Sequence, residues 1–106
     1  MSDLIVYLNE SDFDHKVAKG ITLVDFYADW CGPCRMLTPV LEQVAKDVFG
    51  KVTIAKVDID DNQRIATQFQ VTSVPTMVLL KDGTEINRLI GLRDAEGVKK
   101  FIATAY

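Results

Sequence analysis

The sequence predicts an α/β protein, a central mixed five-stranded sheet flanked by four helices in the order βαβαβαββα. Three observations predict it. Short apolar runs alternate with segments of helical periodicity through most of the chain. The run from Ile21 to Tyr27 is branched, aromatic and apolar on both faces, the pattern of a strand at the centre of such a sheet. Near the end, two extended runs flank Lys81-Asp82-Gly83-Thr84, and Asp-Gly in that position marks an antiparallel hairpin.

The elements follow in order. Leu4-Ile5-Val6-Tyr7-Leu8 is a short strand with almost no polar interruption. Asn9 or Ser11 can cap a helix over Asp12 to Lys19, with Phe13 and Val17 on one face and Gly20 at its end. After the strand Ile21–Tyr27 comes a long helix, Pro33 to Phe49. Its Leu37, Val40, Leu41, Val44, Ala45 and Val48 recur at i, i+3, i+4 spacing, and Gly50 stops it. Pro39 lies inside and is expected to kink it, because it lacks an N–H and crowds the preceding turn. Val52 to Val57 is a third strand, and Asp61 or Asn62 can cap a short helix ending at Phe69. Thr76–Leu80 and Glu85–Ile90 form the hairpin. A helix from Asp94 to Ala105 closes the chain, with Ala95, Val98, Phe101 and Ile102 inward.

The 106 residues are expected to form one domain, 1–106, since two would leave too little apolar side chain for either core. Hydrophobic residues at 48% and charged residues at 25% are the balance of an ordinary globular protein, not a disordered one. A net charge of -3 argues against nucleic acid as the main partner. Met1-Ser2-Asp3-Leu4 lacks the basic start and apolar core of a signal peptide, and no run approaches the roughly 20 apolar residues that span a bilayer. A cytoplasmic protein without membrane partners is expected.

Trp30-Cys31-Gly32-Pro33-Cys34 stands where the second strand hands over to the long helix. The first turn of a helix offers unpaired N–H groups and the positive end of the macrodipole. Cys31, at or just before that turn, is expected to ionise more easily than a free thiol, and the thiolate is the nucleophile. Pro33 fits a first turn, which needs no N–H there, and stiffens the loop. Residues three apart on a helix place their Cα atoms roughly 4.5–5.5 Å apart. A disulfide accepts about 4.4–6.8 Å. Cys34 can therefore attack a mixed disulfide formed on Cys31 and release the client. Arg35 adds a positive charge nearby, partly offset by Asp29.

A structural zinc site is the alternative for such a pair. It normally takes four nitrogen or sulfur ligands. With two cysteines and one histidine, His15, a single chain cannot complete one without carboxylates. The strand-to-helix placement favours redox chemistry, and no metal is expected. Asp58-Ile59-Asp60-Asp61-Asn62 imitates the start of a calcium loop, but Gln63 and Phe69 stand where glycine and a bidentate glutamate belong.

Asp25 interrupts Leu23-Val24-Asp25-Phe26 in a strand expected to be buried on both faces, where an isolated carboxylate is costly and its pKa is expected to rise. Lys56 interrupts Ile54-Ala55-Lys56-Val57 in the same way and is a candidate partner across the sheet. Asp25 is then a candidate acceptor of the Cys34 proton, through water, with Lys56 tuning it. The competing reading is a solvent-facing Asp on an edge strand. Trp30, in the loop, is expected to be partly exposed and to meet clients. Met36 and Met77 are expected to fill core or groove.

The segment Asp25-Phe26-Tyr27-Ala28-Asp29-Trp30-Cys31-Gly32-Pro33-Cys34 closely resembles the active-site segment of the thioredoxin family. Val74-Pro75-Thr76, Lys81-Asp82-Gly83 and the element order extend the resemblance over essentially the whole chain. Gly32-Pro33 is similar to the reducing members rather than to oxidases or isomerases. The resemblance implies the thioredoxin fold and a protein dithiol–disulfide oxidoreductase without bound cofactor, re-reduced by thioredoxin reductase and working as a monomer. It implies that Pro75 is cis and faces the cysteines, that the backbone of Thr72, Ser73 and Val74 takes an extended client segment, and that Gly91 leaves it room. This chain departs from many members at Tyr27, where Trp is common, at Arg35, where Lys is common, and at Ser73, where Gly is common. An oxidant, an isomerase or a pure binding module are the rival readings.

Overall fold

The computed structural model describes residues 4–106; the first three, part of the start in which no signal pattern was expected, lie outside the described residues. The elements are β1 (Ile5–Tyr7), α1 (Phe13–Lys16), β2 (Ile21–Tyr27), α2 (Gly32–Asp47), β3 (Val52–Asp58), α3 (Gln63–Gln68), β4 (Thr76–Lys81), β5 (Thr84–Ile90) and α4 (Ala95–Ala103). One mixed sheet carries the strands in the order β1-β3-β2-β4-β5, parallel as far as β2 and antiparallel beyond it. Among the described residues this is the expected mixed five-stranded sheet with four helices.

β2 is the central strand, and its side chains alternate between two cores. Leu23 joins Leu37, Leu41 and Val44 of α2, Ile54, Leu79, and Val98 and Ile102 of α4. Val24 and Phe26 point the other way and pack with Phe13, Val17, Ala55, Val57, Ile65 and Val78. That is why the run is apolar throughout. Asp25 shares the parity of Leu23, and Lys56 that of Ile54, so both charged residues lie on the face covered by α2.

Several local expectations are corrected. The first helix is a single turn, Phe13–Lys16, rather than Asp12–Lys19. Asn9 does help to start it, its Oδ1 accepting from the N–H groups of Ser11 and Asp12 at 2.9 and 3.2 Å. Asn62 occupies the N-cap of α3 without bonding its first turn. Its amide instead accepts from Glu10 N–H at 3.0 Å and donates to the Asp58 carbonyl at 3.0 Å, tying two loops together. Met77 is buried as expected, but Met36 is 61% exposed, because it points away from the α2 stripe that faces the sheet. The Asp82-Gly83 turn has both residues at positive φ, 50° and 82°, the primed turn whose twist suits a hairpin.

Candidate active site

The connection from β2 to α2 holds both cysteines. Cys31 is the N-cap of α2, in extended backbone (φ -93°, ψ 112°), and Pro33 sits in the first turn. The two cysteines form a disulfide with Cα atoms 5.3 Å apart, inside the interval the spacing predicts. The N–H of Cys34, one of the orphan donors of the first turn, donates to Cys31 Sγ at 3.1 Å. Sulfur at the N-cap thus takes the place usually held by a serine or aspartate oxygen. Both cysteines are buried against Ala28, Tyr27, Ile59 and Val74. The Arg35 guanidinium is held by the Asp29 carbonyl, to which its Nη1 donates at 2.6 Å.

Val74-Pro75 is a cis peptide, and the Val74 carbonyl oxygen lies 3.7 Å from Cys31 Sγ. Thr72 and Ser73 are exposed beside it, and Gly91 N–H donates to the Pro75 carbonyl at 2.9 Å. Cys31, Val74, Pro75 and Gly91 are therefore linked in one chain of contacts, with Cys31 and Pro75 buried and Val74 and Gly91 half-buried. Gly32 and Pro33 sit half-buried and exposed at the start of α2, and Trp30 is 68% exposed, its Nε1 donating to Asp60 Oδ2 at 3.0 Å. His15 is exposed on α1.

Asp25 is fully buried on the central strand, which removes the edge-strand alternative. Neither of its carboxyl oxygens accepts a hydrogen bond from a described residue. Burial therefore pushes its pKa up to about 7, with Lys56 opposing the shift. Lys56 is its register neighbour on β3, with Nζ 3.9 Å from Asp25 Oδ2. Burial in turn pulls the Lys56 ammonium below its ordinary value, while Asp25 holds it up.

Sequence reading missed what surrounds Lys56. Its Nζ donates to Thr38 Oγ1 at 2.7 Å and lies 4.4 Å from the Tyr27 ring centroid and 6.0 Å from that of Tyr7. One signal was present: Thr38 stands four residues after Cys34, a polar residue beside the apolar Leu37–Leu41 stripe. Tyr7, Tyr27, Arg35, Thr38 and Lys56, together with Cys34, line a cleft of about 220 Å³. A larger cavity, about 480 Å³, lies at the opposite ends of the strands beside Ile21, Phe49 and Val52, with no cysteine in its lining.

The Cys31–Cys34 disulfide thus sits at a helix N-terminus beside a cis proline. Residues 4–104 match the family profile described as Thioredoxin. The chain belongs to the thioredoxin family. It is 46% identical to a thioredoxin of Chlamydia pneumoniae over 99 residues, covering 93% of this chain and 96% of the relative. A thioredoxin of Staphylococcus epidermidis is 43% identical over 98 residues, covering 92% and 94%. Among solved structures it is similar to a mutant thioredoxin from Halobacterium salinarum NRC-1, with TM-score 0.87, 38% identity and coverage of 98% and 93%. The fold is thus the thioredoxin fold, and the protein is a dithiol–disulfide oxidoreductase acting on protein disulfides. Among the described residues no helix is long and apolar enough to cross a membrane.

Proposed function

We propose that Cys31 is the attacking sulfur, Cys34 the resolving sulfur and Asp25 the acceptor of the Cys34 proton, with Lys56 adjusting Asp25. The observation that carries this assignment is the hydrogen bond from Cys34 N–H to Cys31 Sγ. Once the disulfide is reduced, that donor and the helix dipole favour negative charge on Cys31 rather than on Cys34.

A client lies extended along Thr72, Ser73 and Val74, with Trp30, Gly32, Pro33, Pro75 and Gly91 bounding the surface. The Cys31 thiolate attacks one client sulfur, forming a mixed disulfide and expelling the other client sulfur as a thiolate. Cys34 then passes its proton through water to Asp25 and attacks Cys31 Sγ. The second client sulfur leaves, and Cys31–Cys34 is oxidised by the two electrons the client has gained. Thioredoxin reductase returns those electrons; family membership supports that partner. The net charge of -3 supports a protein that does not bind nucleic acid, the bacterial thioredoxin relatives support a cytoplasmic one, and we assign it one domain and a monomeric working form.

The test is trapping. Cys34→Ser mixed with an oxidised protein client gives a stable Cys31-linked mixed disulfide by mass spectrometry, and Cys31→Ser gives none. A stable adduct on Cys34 in place of Cys31 would reverse the assignment.

A further inference from the structure

Lys56 and Asp25 are opposite charges buried side by side, yet the lysine's short hydrogen bond goes elsewhere. Its Nζ is 2.7 Å from Thr38 Oγ1 and 3.9 Å from Asp25 Oδ2. Thr38 is an acceptor here for a definite reason. Its own hydroxyl proton is committed to the carbonyl of Cys34, one turn back on α2, at 3.3 Å. That leaves the oxygen lone pairs for the ammonium, and the Tyr27 ring 4.4 Å away supports the same position.

We propose that Thr38 is a positioning residue that holds the Lys56 ammonium short of Asp25, and so preserves the Asp25 carboxyl as a proton acceptor. The inference rests on the reading of Asp25 as the acceptor of the Cys34 proton. A lysine released from Thr38 would hydrogen-bond the carboxylate directly, and a direct cationic donor stabilises the charged form. Asp25 would then be a weaker proton acceptor. The hydroxyl thereby links the backbone of Cys34 to the lysine that governs Cys34's own proton.

Other groups around the pair are accounted for. Tyr7 of β1, Tyr27 of β2, Asp29 in the β2–α2 connection, and Cys34, Arg35 and Glu42 of α2 all border or act on this neighbourhood. β4 presents Met77 opposite Asp25, which adds no charge. Thr38→Val leaves all of these in place and exchanges the hydroxyl for a methyl group.

The test uses the oxidised protein, in which the cysteines do not titrate. The Asp25 side-chain carbon is followed by 13C NMR against pH, its signal assigned by Asp25→Asn. In Thr38→Val the midpoint is expected to fall by about one pH unit. Thr38→Ser, which keeps the hydroxyl, is expected to titrate with the parent. Thr38→Ala repeats the test without valine's branched side chain. An unchanged or higher midpoint in both Thr38→Val and Thr38→Ala overturns the proposal. The underlying reading is tested separately, through the pH profile of client release by the reduced protein. If Asp25→Asn leaves that profile intact, the acceptor assignment fails whatever the carboxyl titration shows.

Discussion

Asp25 and Lys56 are register neighbours on the two innermost parallel strands, and their charged atoms stop 3.9 Å apart with neither carboxyl oxygen hydrogen-bonded to a described residue. A buried pair at that separation recovers little of its desolvation. Its consequence for stability has a definite sign.

The Asp25 carboxyl is raised from 3.8 to about 7 in the folded protein. Between those values the folded chain keeps a proton that the unfolded chain has released. Stability therefore falls as pH rises through that window and levels off above it, by at most about 4 kcal/mol. Asp25→Asn removes this dependence. It is expected to stabilise the protein at pH 8 and to give no comparable gain at pH 4, where the parent carboxyl is already neutral. Denaturant melts of both proteins at the two pH values measure it; an equal gain at each would place the effect elsewhere.

Trp30 is exposed, yet its indole is fixed by one hydrogen bond to Asp60 at 3.0 Å, and Asp60 is itself set by a turn in which its N–H donates to Asp58 Oδ1 at 2.8 Å. Such a surface contact contributes under about 1 kcal/mol to folding. Its effect should appear in client binding. Asp60→Ala is expected to lower Trp30 fluorescence anisotropy and to cut kcat/KM for a protein disulfide roughly threefold, or about 0.6 kcal/mol. Turnover of a small disulfide is expected to stay level. Equal losses on both substrates would make the contact purely structural.

The central parts of this molecule were legible because each had a local signature. β2 betrayed its position by being apolar on both faces, and Asp25 and Lys56 stood out as the interruptions of such runs. The cysteine pair needed only helical spacing, and the 5.3 Å Cα separation follows from it. The cis Val74-Pro75 bond and the client-binding role proposed for Thr72–Val74 had no local signature and came through family resemblance alone. What was not legible depends on contacts between distant segments. Asn62 looks like a helix cap in sequence, and only the approach of Glu10 gives its side chain a better use. Thr38, Tyr27 and Tyr7 meet around Lys56 from three elements, and no single stretch of sequence announces that meeting.

Gly91 has φ +99°, a conformation that L side chains rarely adopt, while an added Cβ would meet only the flexible end of Arg93 at 3.4 Å. The constraint is thus in the backbone rather than in the space available. Gly91→Ala is expected to cost about 1–2 kcal/mol. Because Gly91 N–H donates to the Pro75 carbonyl, relaxation of φ also disturbs the surface beside Cys31. Thermal melts should show the loss, and KM for a protein client should rise more than kcat falls. A variant as stable as the parent, with unchanged KM, would refute both points.

Arg88 fixes the chain where α3 leads into Thr72–Val74. Its guanidinium grips Glu85 through two hydrogen bonds, at 2.7 and 2.9 Å, and donates at 2.6 Å to the carbonyl of Phe69, where α3 ends. Phe69 in turn packs edge-to-face against Phe13 and tilted against Phe26, with centroids 5.5 and 5.7 Å away. The segment that reaches Thr72–Val74 begins directly after this anchor. Arg88→Met keeps the aliphatic stem against the protein and deletes the fork. A charge-assisted bond to a part-buried carbonyl contributes roughly 1–3 kcal/mol, so a destabilisation toward the lower end is expected for this partly exposed site. The more telling measurement is hydrogen exchange at Val71, whose N–H donates to the Ala66 carbonyl at 2.9 Å. In Arg88→Met that amide should exchange faster than amides of β2 do, since local opening of the loop does not require the central sheet to open. Glu85→Gln leaves the guanidinium's bond to Phe69 available and should fall between parent and Arg88→Met. If all three proteins exchange Val71 at one rate, Arg88 does not anchor the loop.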